Sequence, residues 1–376
     1  MALSVVPGAP VEDLARALID IPSVSGDERA IADAVETVLR GCDHLEVTRL
    51  GDAVVARTAL GRSERVIVAG HLDTVPIKDN VPSRLSDDGR DIIGRGSVDM
   101  KGGVAVQLQL AVELSAPVRD VTWVFYDHEE VEATLNGLGR IARERPDLLA
   151  GDFAILGEPT EGVIEGGCNG TLRCDVTVHG VAAHSARAWK GTNAVHAVAP
   201  LLELLSQYEP RVAEVDGLTY REGLNAVRIA GGIAGNVIPD HCTVTLNFRF
   251  APDNSIEHAK ARVDAVVADA LAPVVGSGRA TSYEVVWTDE SSGARPGLDA
   301  ALAQDFVKAV AATGVGEPRA KLGWTDVARF GAMGIPAVNY GPGDPERAHA
   351  SGDEERCPID QIKRCHAALG AWLGGA

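Results

Sequence analysis

The sequence predicts an α/β chain in which a mostly parallel sheet is flanked by helices and interrupted by an inserted ferredoxin-like α+β module. Three observations carry that expectation. Short, continuously apolar runs alternate with helix-patterned segments in the first half, the patterning changes to a two-residue alternation from about Thr171, and the first style returns after Pro296. Continuous apolar strands separated by helices mark a sheet buried on both faces, whereas alternation marks a half-exposed one.

The elements follow in order. "PVEDLARALIDIP" places Val11, Leu14, Ala15, Leu18 and Ile19 on one helical face, and "ERAIADAVETVLRG" repeats the device before stopping at Gly41. "RVIVAG" (65–70), "VTWVFY" (121–126) and "DFAILG" (152–157) read as buried strands, with a helix over "GGVAVQLQLAVELS" between the first two. In the middle, "TLRCDVTVHG", the helix "NAVHAVAPLLELLSQYE", two strands within "LNAVRIAGGIAGNVIPDHCTVTLNFRFAP", the helix "SIEHAKARVDAVVADALA" and the strand "TSYEVVWTD" give the order βαββαβ. A helix around 300–313 and the strand "IPAVNYG" end the pattern. The expected domains are therefore 1–170 with 290–376, and an insert over 171–289.

Bulk properties narrow the function. At 376 residues the chain exceeds what one core ordinarily serves. Asp plus Glu number 53 against 35 Lys plus Arg, and the resulting charge of −18 argues against a nucleic-acid or anionic-membrane partner. "MALSVVPGAP" has no basic n-region, and no stretch reaches the roughly 18 apolar residues of a membrane span, so a cytoplasmic protein is expected. The six cysteines form no C-x-x-C pair, which points to buried or inert thiols rather than a disulfide framework.

Polar residues gather where the apolar runs stop. His71 and Asp73 follow the first, Asp127, Glu129 and Glu130 the second, and Glu158 the third, while His349 lies downstream of "AVNYG" and Asp99 sits in "GRGSVDMKGG" before a helix. Open α/β sheets bind ligands beyond the carboxyl ends of their strands. A lone His or Asp there is usually a turn residue; the coincidence across successive strands is what argues for a site. "GRGSVDMKGG" lacks both the Lys-Ser/Thr of a P-loop and the G-x-G-x-x-G spacing, which excludes a nucleotide loop. Crowded carboxylates need a counter-charge, and imidazole mixed with Asp/Glu, without thiolate, suits zinc, with cobalt or manganese as substitutes. The surplus of ligands suggests a carboxylate shared by two ions. The i, i+2 spacing in "HLD" lets Asp73 orient the His71 ring. Neighbours on extended chain point apart, so of Glu129 and Glu130 one is free to bind metal while the other acts as general base. His184, in "HGVAAHSARAWKGTNAVH", is either a turn histidine or a donor to an oxyanion, brought in from a neighbouring subunit or by closure of the insert. His128 and the remaining histidines are expected on the surface or on helix faces.

The stretches "GHLDTVP", "GRGSVDMKGG", "YDHEEVEATLNGLGR", "ILGEPT", "HGVAAHSARAWKGTNAVH", "GNVIPD", "NFRFAPD" and "GPGDPERAHASGDE" together resemble the di-zinc aminoacylase/carboxypeptidase superfamily, and within it the actinobacterial succinyl-diaminopimelate desuccinylases. The resemblance implies two zinc ions per subunit bridged by Asp99, with His71 and Glu158 at one and Glu130 and His349 at the other, and Glu129 as the base. It further implies an insert serving as lid and homodimerisation domain, with His184 reaching the partner's active site, and substrate carboxylates met by Arg249, Asn236 and Thr325. The implied reaction is hydrolysis of N-succinyl-LL-2,6-diaminopimelate. Rival expectations are another deacylase, such as one acting on N-acetylornithine, a small-peptide carboxypeptidase, or an inactive metal-binding regulatory protein. His128 in "DHEE" and "WTD" in place of a Gly/Ser-rich loop depart from the family pattern and bear on acyl-group preference rather than on the metal chemistry.

Overall fold

The computed structural model describes residue 3 and residues 5–375. Two compact units emerge: Met1–Gly167 with Pro296–Ala320 and Thr325–Ala376, and Cys168–Arg295 with Lys321–Trp324.

Among the described residues, the first unit holds an eight-stranded sheet in the order Glu46–Leu50, Ala53–Arg57, Asp120–Tyr126, Arg65–His71, Phe153–Leu156, Ala337–Asn339, Glu165–Gly166, Arg319–Ala320. Its four central strands, Asp120–Tyr126 through Ala337–Asn339, pair in parallel, while the strands at Glu46–Leu50 and Ala53–Arg57 run antiparallel. Register aligns His71 with Tyr126 and Ala69 with Leu156. The chain therefore leaves three neighbouring strands at one edge, which places the residues after each of them side by side.

Helix Lys101–Glu113 is buried on nearly every face, as a helix without a polar side must be. Its buried Gln107 uses both amide hydrogens, donating to the carbonyls of Val68 (3.0 Å) and Val124 (2.9 Å). Gly103 is obligatory for its approach to the sheet: a Cβ there would lie 2.0 Å from the Gly157 carbonyl oxygen, one residue before Glu158. The helices Val11–Ile19 and Arg29–Arg40 bury the faces their spacing predicts. Phe306 stands at the centre of an aromatic cluster, 4.8 Å from Trp372, 5.2 Å from Tyr340 and 6.3 Å from Phe153 between ring centroids.

In the second unit, four antiparallel strands run in the order Gly223–Gly231, His241–Phe250, Gly170–His179, Ser282–Ser291. Cys242, Val244, Leu246, Phe248 and Phe250 alternate inward along His241–Phe250, and helix Ile256–Gly276 supplies Val263, Val267, Leu271 and Val274 to the same core. Two features depart from the sequence reading. The first predicted helix of the insert is broken into Ala194–Ala197 and Ala199–Ser206, because Pro200 has no N–H to donate and is tolerated only in a first turn. A hairpin, Val212–Val215 with Leu218–Arg221, is added before the second strand of the module. It turns on Asp216 and Gly217, both with positive φ, the pairing a tight hairpin requires.

Replacing Phe306 by Ala should remove about 3–5 kcal/mol from the first unit. A urea titration followed by tryptophan fluorescence checks this, and an unchanged midpoint would show that the cluster repacks.

Candidate metal centre

His71 ends its strand with the side chain fully buried. Its Nε2 lies 3.0 Å from Asp99 Oδ1, and its Nδ1 lies 3.1 Å from the backbone carbonyl of Asp73 and 3.5 Å from Asp73 Oδ1. Asp99 turns its other oxygen to a second imidazole, Oδ2 standing 3.3 Å from His349 Nε2. That nitrogen is also 2.8 Å from Glu130 Oε1. Three overlapping groups bring their donor atoms within 4.8 Å of one another: His71, Asp99 and Glu158; Asp99, Glu130 and His349; and His71, Glu129 and Glu130. Asp99 is common to the first two groups and faces an imidazole from each.

Asp73 explains how adjacent glutamates are aimed. Its Oδ1 accepts the Glu129 N–H at 3.0 Å, its Oδ2 accepts the Glu130 N–H at 3.1 Å, and the Ser25 hydroxyl donates to Oδ2 at 2.6 Å. Extended chain was the expectation for 128–130; instead His128 has φ +57°, and the segment is a turn held from behind by Asp73. Asp73 lies against His71 through its backbone carbonyl and, at the longer distance, through a carboxylate that also holds the two glutamate amides. His128 is also not a free surface residue. Its Nδ1 lies 2.7 Å from Asp127 Oδ2, its N–H donates to Glu28, and Arg140 holds the other oxygen of Asp127.

The electrostatics of the cluster follow from its burial and crowding. Burial pushes Glu129 well above the ordinary carboxylate range, His71 offsets this in part, and the charges of Glu158, Asp326 and Glu130 push it further. Glu130 is raised by burial and then by Asp99. Burial opposes ionisation of Asp99, yet hydrogen bonds with His349 and His71 and the charges of both rings drive its pKa far down. Protonated imidazoles thus stand in the metal-free protein where positive charge is required. A donor set of two imidazoles and several carboxylates, with one aspartate spanning two groups and no thiolate, fits a pair of divalent cations.

Of the other expected site residues, His184, Asn236 and Arg249 belong to the second unit and Thr325 to the first. His184 is exposed on a two-residue strand whose partner is Val237–Ile238, and the Ser185 N–H donates to the Asn236 carbonyl at 2.9 Å, so His184 and Asn236 share one small ribbon. Arg249 is half-buried on His241–Phe250, opposite Thr171 and Gly223. Thr325 is buried, with its hydroxyl donating to Asn339 Oδ1 at 2.9 Å. Sequence reasoning missed Ser25, Glu28 and Asp326, whose roles come from folding rather than from any motif.

This mostly parallel sheet, with its histidine and carboxylate cluster at one edge, is that of a metal-dependent hydrolase, and the chain belongs to peptidase family M20/M25/M40, whose model matches residues 67–374. A protein of Mycobacterium tuberculosis named "Putative succinyl-diaminopimelate desuccinylase DapE" is 52% identical over 369 residues, covering 98% of this chain and 99% of that one. A Corynebacterium glutamicum protein named succinyl-diaminopimelate desuccinylase is 46% identical over 369 residues, 96% of this chain and 95% of the other. The fold matches that of the Bacillus subtilis YXEP protein, described as a dinuclear metal-binding peptidase of the M20 family, with a TM-score of 0.71 at 16% identity, covering 96% of each chain.

Hydrogen bonds to Asp99 and Glu130 raise His349 to about 10, against the opposition of burial, so the metal-free ring is protonated at neutral pH. Only the neutral ring ligates, so cation uptake at pH 7 should release protons, and affinity should weaken as pH falls. Titration calorimetry in buffers of different ionisation enthalpy measures the number released; uptake without proton release would refute this linkage.

Proposed function

We propose that this chain is a dinuclear metal-dependent amidohydrolase that cleaves N-succinyl-LL-2,6-diaminopimelate to succinate and LL-2,6-diaminopimelate, on the route to lysine and peptidoglycan. Near-full-length likeness to two proteins carrying desuccinylase names supports the substrate. The observation that carries the chemistry is Asp99, whose two oxygens face two different imidazoles.

Asp99 is assigned as the ligand shared by two cations, with His71 and Glu158 completing one group and Glu130 and His349 the other. Zinc suits these donors, with cobalt or manganese as alternatives. Bound cations would supply Lewis-acid polarisation of the amide carbonyl and offset the charge that develops on its oxygen. Glu129 is assigned as general base. It takes a proton from the attacking water as the new C–O bond forms, and returns it to the leaving nitrogen as the C–N bond breaks. Asp73 keeps Glu129 and Glu130 on their separate tasks by holding both amides.

The second unit is assigned to substrate contact and to homodimer formation. The Ala186 N–H donates to His184 Nδ1 at 3.1 Å, so the neutral ring carries its proton on Nε2, the tautomer an oxyanion donor needs. We place that donor in the partner subunit's active site. Among the described residues, strand Gly223–Gly231 leaves one edge of its sheet unpaired, with Val227 and Ile229 more than half exposed, which supports strand-edge pairing between subunits. Arg249 and Asn236 are the proposed contacts to substrate carboxylates, with Thr325 joining them by exchanging its bond to Asn339. Among the described residues no helix is long and apolar enough to cross a membrane, and all six cysteines are free, which supports a cytoplasmic location.

Glu129→Gln should retain both cations and lose roughly 10²–10⁴-fold in turnover; near-normal turnover with intact metal would remove Glu129 as base. Initial rates of the zinc-loaded protein on the succinyl substrate and on N-acetylornithine, with a chelator-treated control, should favour the succinyl substrate. Preference for the acetyl compound would move the chain to a neighbouring deacylase.

A further inference from the structure

Glu355 is fully buried and too enclosed to meet a substrate, yet it touches every residue from Gly94 to Ser97. Its Oε1 accepts the Gly96 N–H at 2.7 Å and its Oε2 pairs with the Arg95 guanidinium. Its backbone carbonyl accepts the Gly94 N–H at 3.2 Å and the Ser97 hydroxyl at 3.3 Å. Arg95, also buried, uses its Nε to reach the Pro76 carbonyl at 3.1 Å, five residues beyond His71. One carboxylate and one guanidinium thus join three segments: the chain after His71, the loop leading into Asp99, and the chain after His349.

We propose that Glu355 is a positioning residue that, through Arg95 and the 94–97 loop, fixes the distance between Asp99 and His349 and thereby sets the affinity of the second cation. The inference rests on the two-cation reading given above. Its selectivity follows from how the ligands are held. His71 is fixed by a strand and by Asp73, and Glu158 stands two residues past a strand; both keep their places without Glu355. His349 belongs to no strand or helix, has φ +64° and a half-exposed side chain, and lies six residues before Glu355 with only one short 3₁₀ turn between. Beyond Glu355, the strand Arg356–Pro358 pairs with Asp91–Ile93, so the Glu355 node is where the His349 segment is tied to the Asp99 segment.

Glu355→Gln preserves shape and the acceptor for Gly96 but leaves the buried Arg95 charge without its counter-ion. Metal-free wild-type and variant proteins would be titrated with zinc against a chromophoric competitor, with near-UV circular dichroism confirming the fold. The expected result is a weakening of the second cation by roughly 10–100-fold, as for other partners that orient metal ligands, with the first cation within threefold of wild type. Arg95→Lys keeps the charge and loses the fork that also reaches Pro76, and should weaken the same cation by less; it serves if the Gln variant does not fold. Glu222→Gln removes a comparably buried carboxylate, held by Arg211 and Arg262 in the second unit, and should leave both affinities unchanged. Equal loss at both cations, or wild-type affinity at both, overturns the proposal while leaving the two-cation reading intact. A wild-type protein that takes up fewer than two cations overturns that reading, and the role of Glu355 with it.

Discussion

Negative charge concentrated at one sheet edge is the constraint on which the rest of the first unit depends. Asp99, Glu129, Glu130 and Glu158 approach one another closely enough that Glu129 and Glu130 are both driven above the ordinary carboxylate range. Such an arrangement is unfavourable unless something positive enters it. In the metal-free chain, the imidazolium forms of His71 and His349 serve, and both stand against the same aspartate. On the two-cation reading proposed above, metal ions would supply that positive charge in place of the protons.

Holding that pattern requires order behind the ligands. Asp73 contributes no ligand atom to the two groups that share Asp99, yet three donors converge on its carboxylate, and the backbone of the Glu129–Glu130 turn hangs from it. Its pKa falls to about 2: burial would raise it, but the hydrogen bonds from His71, Ser25 and Glu129 and the charge of His71 prevail. The group therefore stays ionised throughout the neutral range, as an orienting acceptor must. Arg95 and Glu355 do on the Asp99 side what Asp73 does on the Glu129 side. Lys101 adds to this shell, donating to the Ile21 carbonyl at 2.7 Å, with its pKa lowered to about 7 by burial despite Glu355, Asp20 and Asp73 nearby.

How much of this was legible in the sequence depends on whether a residue's role is set by local pattern or by distant partners. Strand ends are local: an apolar run that stops at a histidine or acid puts that residue at the sheet edge, which is why His71, Glu130 and Glu158 were readable. The burial of Val11, Leu14 and Leu18 followed equally directly from helical spacing. Partners far apart in sequence were not readable. Glu355 lies among acids in "GDEERCP", and nothing local separates it from its exposed neighbour Glu354; only the meeting with Arg95, 260 residues away, does so. His128 was misread for the same reason, since Glu28 lies 100 residues upstream. The broken helix at Pro200 and the Asp216–Gly217 hairpin are a different kind of miss. Both signals were local, but amphipathic spacing outweighed the proline, and the short hairpin strands fell between two stronger patterns.

The division between rigid and adaptable parts bears on what such a chain can vary. Every assigned metal ligand in the first group is within two residues of a strand or of a buried helix. Small changes there would disturb the sheet register, the Gly103 approach and the carboxylate balance together. His184, on a two-residue ribbon, and Asn236, just before its partner strand, are in contrast exposed, and Arg249 is half-buried on its strand. Substitutions at those positions alter few buried contacts and leave the charge pattern untouched. Under the roles proposed above, hydrolytic chemistry would be bound to the core, while substrate contact would rest on residues that can change without unfolding it.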